Sequence, residues 1–313
     1  MSGQAPIAVF AYRRAGHMRR TLDSLGKCHD FADSPLYVFA DGSKGAADAA
    51  DVTAVRSVAR EMLGGRAEYR LSAINRGLSA SILGGVATVF ERHDRVIVVE
   101  DDMELSPGFL RYMNSALQRY QHEPRVMQVS GHMFEVPEFT SRGEALFLPL
   151  TTSWGWATWR RAWQSFDAQA SGWAELARDS SLRRRFNLDG AFDYATMLES
   201  QMTGIGDSWA IRWYWSVFRD DAFAVFPPVS MVRNTGMDGS GTHGRGLLRR
   251  LRPSPAELHA GPLQLPDHIG VDEEDLAAVR RALWRDNAGA VGMAVDWIRR
   301  RRLNRLRRAR GTR

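Results

Sequence analysis

The chain has 313 residues, 44% of them hydrophobic and 25% charged. That composition excludes a disordered or fibrous protein and leaves ample length for a buried core, in one large domain or two small ones. Cys28 is the single cysteine, so no internal disulfide can form, which fits a reducing compartment.

Charge is unevenly placed. The formal net charge is +6, yet residues 299 to 313 alone hold nine arginines and no acid, and without them 33 basic residues face 36 acidic ones. The body is mildly acidic, so the high pI is poor evidence for nucleic-acid binding, and none is expected. No basic region, apolar stretch and cleavage site open the chain. No apolar run approaches the ~18 residues that a spanning helix needs. The expectation is a cytoplasmic protein, soluble or peripheral on the membrane.

The pattern of the first ~130 residues alternates between strand and helix. Ile7 to Tyr12 is a compact apolar run, and Met18 to Leu25 is helical. Leu36 to Ala40 reads as a second strand ending at Asp41-Gly42, and Ala46 to Leu63 as a helix. Tyr69 to Leu71 is a weak third strand, followed by a helix over Leu78 to Phe90. Arg95 to Val99 is the clearest strand; Pro107 then opens a helix to about Tyr120, and Val126 to Ser130 is another strand. The stretch from Trp154 to Trp215 is tryptophan-rich, and the spacing of Trp156, Trp159 and Trp163 predicts one helix face. Glycines then cluster from Gly236 to Gly246, prolines from Pro253 to Pro266 mark a linker-like region, and Glu273 to Arg310 reads as terminal helix.

Strand and helix in alternation predict an α/β fold with a mostly parallel sheet covered on both faces. Such sheets bind ligands outside the carboxyl ends of their strands. The polar residues there are Tyr12-Arg13-Arg14, Asp41-Gly42-Ser43, Asn75-Arg76-Gly77 and Glu100-Asp101-Asp102, which should meet on one rim. The tryptophan-rich half should pack against the same sheet. The expected division is a domain over 1 to 250, with a nucleotide-binding half to about 135 and an acceptor half beyond it, then a linker and basic helical tail over 251 to 313.

Adjacent carboxylates at Glu100, Asp101 and Asp102 repel one another unless a cation neutralises them. A solvated acidic turn would avoid the problem. A hard divalent ion, Mn²⁺ or Mg²⁺, would solve it through oxygen ligands while keeping positions open for phosphate oxygens. The segment Val98 to Leu110, Val-Val-Glu-Asp-Asp-Met-Glu-Leu-Ser-Pro-Gly-Phe-Leu, closely resembles the metal-site segment of the N-acetylglucosaminyltransferase I family. Pro6 to Arg14 is similar to the first strand of family 2 glycosyltransferases, and Asn75-Arg76-Gly77-Leu78-Ser79 to their nucleotide-contacting turn. These likenesses cover about residues 5 to 135. They imply a GT-A fold, a Mn²⁺ or Mg²⁺ ion on Asp102, and a uridine-linked nucleotide-sugar donor contacted by Tyr12, Arg14, Asp41, Asn75, Gly77 and Asp101. Asp41 resembles the aspartate that hydrogen-bonds the uracil. Transfer with inversion to a glycan or lipid-linked acceptor, in cell-surface polysaccharide synthesis, also follows only from the resemblance.

Inverting transfer needs a carboxylate that takes the acceptor's proton. Asp207, in Gly204-Ile205-Gly206-Asp207-Ser208-Trp209, resembles the segment that carries this base. Small and aromatic neighbours would desolvate it and raise its pKa. The competing reading makes Asp207 a helix cap; Glu199 and Asp238 are the next candidate bases. The loop Asn234 to Gly244 resembles a donor-covering loop, in which His243 would touch the pyrophosphate or complete the metal shell; alternatively it is a plain surface loop. The arginine tail of residues 299 to 313 would bind an anionic membrane surface or remain a solvated terminus. Two other functions fit an α/β chain with an acidic cluster: a sugar nucleotidyltransferase, disfavoured by the glycine-poor Tyr12-Arg13-Arg14-Ala15-Gly16, and a noncatalytic GT-A-fold binding protein.

Overall fold

The computed structural model describes residues 3–236, 258–259 and 261–287. The elements are β1 (Ile7–Ala11), α1 (Ala15–Gly26), β2 (Leu36–Ala40), α2 (Ala46–Leu63), β3 (Ala67–Leu71), α3 (Leu78–Phe90), β4 (Arg95–Glu100), β5 (Met103–Leu105), α4 (Phe109–Arg119) and β6 (Val126–Ser130). They continue with β7 (Leu146–Leu148), β8 (Trp156–Trp159), α5 (Arg160–Trp163), α6 (Ser180–Phe186), α7 (Tyr194–Met202), α8 (Trp209–Arg219), β9 (Phe223–Phe226), β10 (Val232–Asn234) and α9 (Glu273–Asn287).

Eight strands form one sheet in the order β3-β2-β1-β4-β8-β6-β9-β7. β1 to β4, β6 and β9 run one way, and only β8 and β7 run against them. The fold is therefore the α/β, mostly parallel type that the alternating pattern predicts. Its centre is dry because helices cover both faces: Ile7, Ala8 and Val9 of β1 and Val96 to Val99 of β4 are all fully buried. β3 sits at the edge with one side half exposed, which is why its apolar signal in the sequence is weak.

The second half of the chain supplies β7, β8 and β9 to the same sheet. The expected helix through Trp156, Trp159 and Trp163 is overturned here. Trp156 to Trp159 is the antiparallel strand β8, wedged between β4 and β6, and only Arg160–Trp163 turns helically. Pairing with two central strands outweighs a spacing of three and four residues, and tryptophan and threonine suit a strand. Trp156 stacks on Trp163 and lies tilted against Trp209, while Trp159 donates its Nε1–H to the Leu117 carbonyl at 2.9 Å. A second buried cluster lies beyond the sheet, where Leu276, Val279 and Leu283 of α9 pack with Leu146, Leu148 and Phe226.

A small second sheet pairs β5 antiparallel with β10, Asn234 opposite Met103. It follows directly on the acidic cluster and brings residues 234–236 against it. Among the described residues, no helix is long and apolar enough to cross a membrane. His243, Asp238 and the arginine tail of 299 to 313 lie outside the described residues.

Candidate active site

The four polar strand ends do meet on one rim. Tyr12 donates its backbone N–H to Asp101 Oδ2 at 3.1 Å, joining the ends of β1 and β4. Arg14 Nη2 donates to Asp101 Oδ1 at 2.7 Å and to Asp102 Oδ2 at 2.8 Å. The cation that relieves the acid cluster is therefore a residue of the chain itself. Burial works against the charged guanidinium, but the Asp101 and Asp102 carboxylates outweigh it and raise the Arg14 pKa. Burial, then Asp102 and Asp101, push the Glu100 carboxyl up to about 8, so it is largely neutral at pH 7.

The two aspartates are held differently. Asp101 has both oxygens taken, and its carbonyl accepts from Thr21 Oγ1 at 2.9 Å. It is a brace. Asp102 is fixed through its main chain, where Thr235 donates N–H and Oγ1–H to the Asp102 carbonyl at 2.8 and 3.1 Å. One carboxylate oxygen accepts from Arg14. The other, Oδ1, is buried and has no hydrogen-bond partner among the described residues. An ionised oxygen left so is costly, and a cationic ligand is the group that suits it. Gly236 closes over this pair: a Cβ there would overlap Asp102 Oδ2 and lie 2.5 Å from Arg14 Nη1. The glycine-rich stretch of the sequence thus starts in contact with the acid cluster.

Asp41 at the end of β2 is engaged by the chain itself. Its carboxylate accepts from the backbone N–H groups of Gly42 (2.9 Å), Arg76 (2.9 Å) and Gly77 (3.0 Å), and from Asn75 Nδ2 (3.0 Å). Asp41 pins the turn between β3 and α3. Gly77 ends that turn at φ +81°, a left-handed conformation that a side chain would strain, and leads into α3. Tyr12 is half-buried with its hydroxyl bonded to Asp48 Oδ2. Burial and that acid push the phenol up to about 12, so the ring is fixed and neutral.

Asp207 faces the same turn: a Cβ on Gly77 would sit 3.7 Å from its Oδ2. Ser208 is the residue that caps α8, accepting from Ile211 N–H at 3.4 Å, so the cap reading of Asp207 fails. The expected desolvation fails too, because Asp207 is exposed. Glu199 is committed to Arg183 at 2.8 Å. Trp154 is half-buried, its ring 4.5 Å from that of His132.

Two contributors escaped the sequence reading. Arg212, near the start of α8, donates to Ser79 Oγ on the first turn of α3 at 2.5 Å and to the Ala168 carbonyl at 3.3 Å. Burial lowers its pKa, and Asp207, five residues earlier at the same end of α8, opposes that. Asp48 accepts from Lys44 and Gly45 N–H at 3.1 Å each, fixing the start of α2. A carboxylate three residues after a glycine is a helix-start pattern that could have found Asp48; only the fold could have found Arg212.

No protein-family model matches this chain, and no curated protein matches it in sequence. Two similar solved structures are a mannosyltransferase from Pyrobaculum calidifontis in complex with GDP-Man and Mn²⁺, and the galactosyltransferase LgtC in complex with donor and acceptor sugar analogs. The first aligns at TM-score 0.37 and 16% identity over 52% of this chain and 46% of that one. The second aligns at TM-score 0.36 and 12% identity over 68% of this chain and 70% of that one. This chain thus spans less than half of the mannosyltransferase's length, and likeness at this level carries no functional assignment.

Proposed function

We propose that this chain is a metal-dependent glycosyltransferase of the GT-A type. It would move a sugar from a nucleoside diphosphate, uridine being the base that the resemblance implies, to a hydroxyl of a glycan or lipid-linked acceptor. The observation that carries the reading is the buried Asp102 Oδ1, without a hydrogen-bond partner among the described residues, at the carboxyl rim of a mostly parallel sheet and beside the Arg14 cation. Among the described residues no three acid, histidine or cysteine side chains gather to hold a metal, so a divalent ion at that oxygen would take one or two carboxylates and fill its remaining positions with phosphate and water oxygens. Bound there, Mn²⁺ or Mg²⁺ would supply Lewis-acid stabilisation of a departing diphosphate.

The chain's own residues account for the rest. The fixed Tyr12 ring and the Asn75–Gly77 turn offer a wall and an edge to a nucleobase. Arg14 lies where a diphosphate would end, and its fork geometry suits phosphate oxygens. Asp207 would accept the acceptor hydroxyl's proton as that oxygen bonds to the anomeric carbon. The bond from that carbon to the diphosphate breaks and its electron pair leaves with the phosphate. Its exposure suits a base that must reach a hydroxyl arriving from solvent. Arg212, bonded to α3, would position α8 and Asp207 against the donor turn.

The test is release of UDP or GDP from a panel of nucleotide sugars, with and without Mn²⁺, alongside metal-dependent thermal stabilisation by the same compounds. Turnover of none of them, with pyrophosphate released from a nucleoside triphosphate instead, would make the chain a nucleotidyltransferase. A polybasic tail at residues 299 to 313 would suit an enzyme peripheral on an anionic cytoplasmic membrane face.

A further inference from the structure

The geometry points to Arg14 as a resident counter-ion that blocks Asp102 from a bare divalent cation and releases it only when a diphosphate arrives to take the guanidinium. This rests on the glycosyltransferase reading and adds an order of binding to it. One nitrogen, Nη2, serves both acids, at 2.7 Å to Asp101 and 2.8 Å to Asp102. The three side chains are only 19%, 6% and 11% exposed, so water screens the contact poorly.

The acids would respond unequally to its departure. Asp101 keeps the Tyr12 amide on one oxygen and the Thr21 hydroxyl on its carbonyl, so it stays put without Arg14. Asp102 Oδ1 already has no partner among the described residues, and loss of Arg14 would free Oδ2 as well, giving a carboxylate with both oxygens available. While Arg14 stays, a cation approaching Oδ1 meets a like charge held against the same carboxylate, in a place of low dielectric. Gly236 packs close against the Asp102–Arg14 contact. To leave Asp102, the half-buried guanidinium needs a new anionic partner, because a buried charge without one is costly. A diphosphate supplies one, since guanidinium binds phosphate oxygens as well as it binds carboxylate. Metal and nucleotide would then bind with strong positive coupling, each clearing the way for the other.

The experiment is titration of Mn²⁺ into the full chain, following the free-ion electron paramagnetic resonance signal, with and without UDP. Arg14→Met and Arg14→Gln are compared with wild type. Wild type should bind Mn²⁺ weakly alone and at least about tenfold more tightly with UDP. Both uncharged variants should bind Mn²⁺ alone about tenfold more tightly than wild type and gain correspondingly less from UDP, keeping only the part that comes from phosphate oxygens on the ion. Gln keeps a hydrogen-bond donor, so it serves if Met does not fold, as circular dichroism will tell. If wild type shows the coupling but both folded variants bind bare Mn²⁺ as wild type does, the counter-ion role is wrong and the glycosyltransferase reading survives. If wild type binds Mn²⁺ neither alone nor with UDP or GDP, both fall.

Discussion

Asp41→Ala tests how the donor turn is held. The carboxylate is 8% exposed and accepts from Asn75, Arg76 and Gly77, at 2.9 to 3.0 Å for the closest contact to each. A hydrogen bond to a charged group contributes roughly 1.5–3 kcal/mol, so three would sum to several kcal/mol if all stayed buried and unmet. They would not, because residues 75 to 77 lie at the rim, and the turn can open locally and hydrate its own donors. Ordering one residue's backbone costs about 1–2 kcal/mol, so three residues released return a similar sum and cap the loss. The expected destabilisation is therefore about 2–3 kcal/mol by urea unfolding, with most of the change local. Hydrogen exchange at the Arg76 and Gly77 amides should accelerate about 10²-fold, and UDP affinity should fall with it. Asp41→Asn should be nearly as harmful, since its amide nitrogen would meet another donor where an acceptor is required. Unchanged exchange at those amides in Asp41→Ala, with stability within about 0.5 kcal/mol of wild type, would refute the clamp and return Asp41 to direct recognition of the base.

Asp102→Ala should abolish turnover and Mn²⁺-dependent UDP binding while the fold survives, because Arg14 keeps its bond to Asp101; calorimetry with UDP and Mn²⁺ checks this, and near-normal binding would count against the metal site. Asp207→Asn should preserve donor binding and lower turnover by about 10² or more, with no loss of stability since Ser208 is the cap; kinetics within a few-fold of wild type would send the search for the base elsewhere. Stability should fall in mild acid: burial pushes His132 down to about 3, from an unfolded value near 6.5. Between those values the unfolded chain binds the extra proton, so this residue costs up to about 1.4 kcal/mol per pH unit as pH drops below about 6.5. Urea unfolding at pH 7 and pH 5 should show a smaller difference for His132→Phe than for wild type, and equal differences would refute the assignment.

The sequence by itself determined the parallel framework and the rim. Val96 to Val99 and Ile7 to Ala11 are apolar without alternation, which only a strand covered on both faces requires, and the polar residue after each must then lie at a carboxyl end. Local pattern is enough for that, because periodicity and turn chemistry act over a few residues. The tertiary structure decided which polar residues neutralise one another. Asp101 and Asp102 read as repelling acids awaiting a metal, and the partner in place is Arg14, 87 and 88 positions earlier in the chain. Asp41 reads as a contact to the nucleobase, and only the fold shows that its carboxylate also holds a turn 34 to 36 residues away. Trp156 to Trp159 carries helical spacing and forms a strand, because β4 and β6 each left a free edge for it to fill. Charge pairing and strand insertion depend on distance in space, and the packing of the sheet sets that distance.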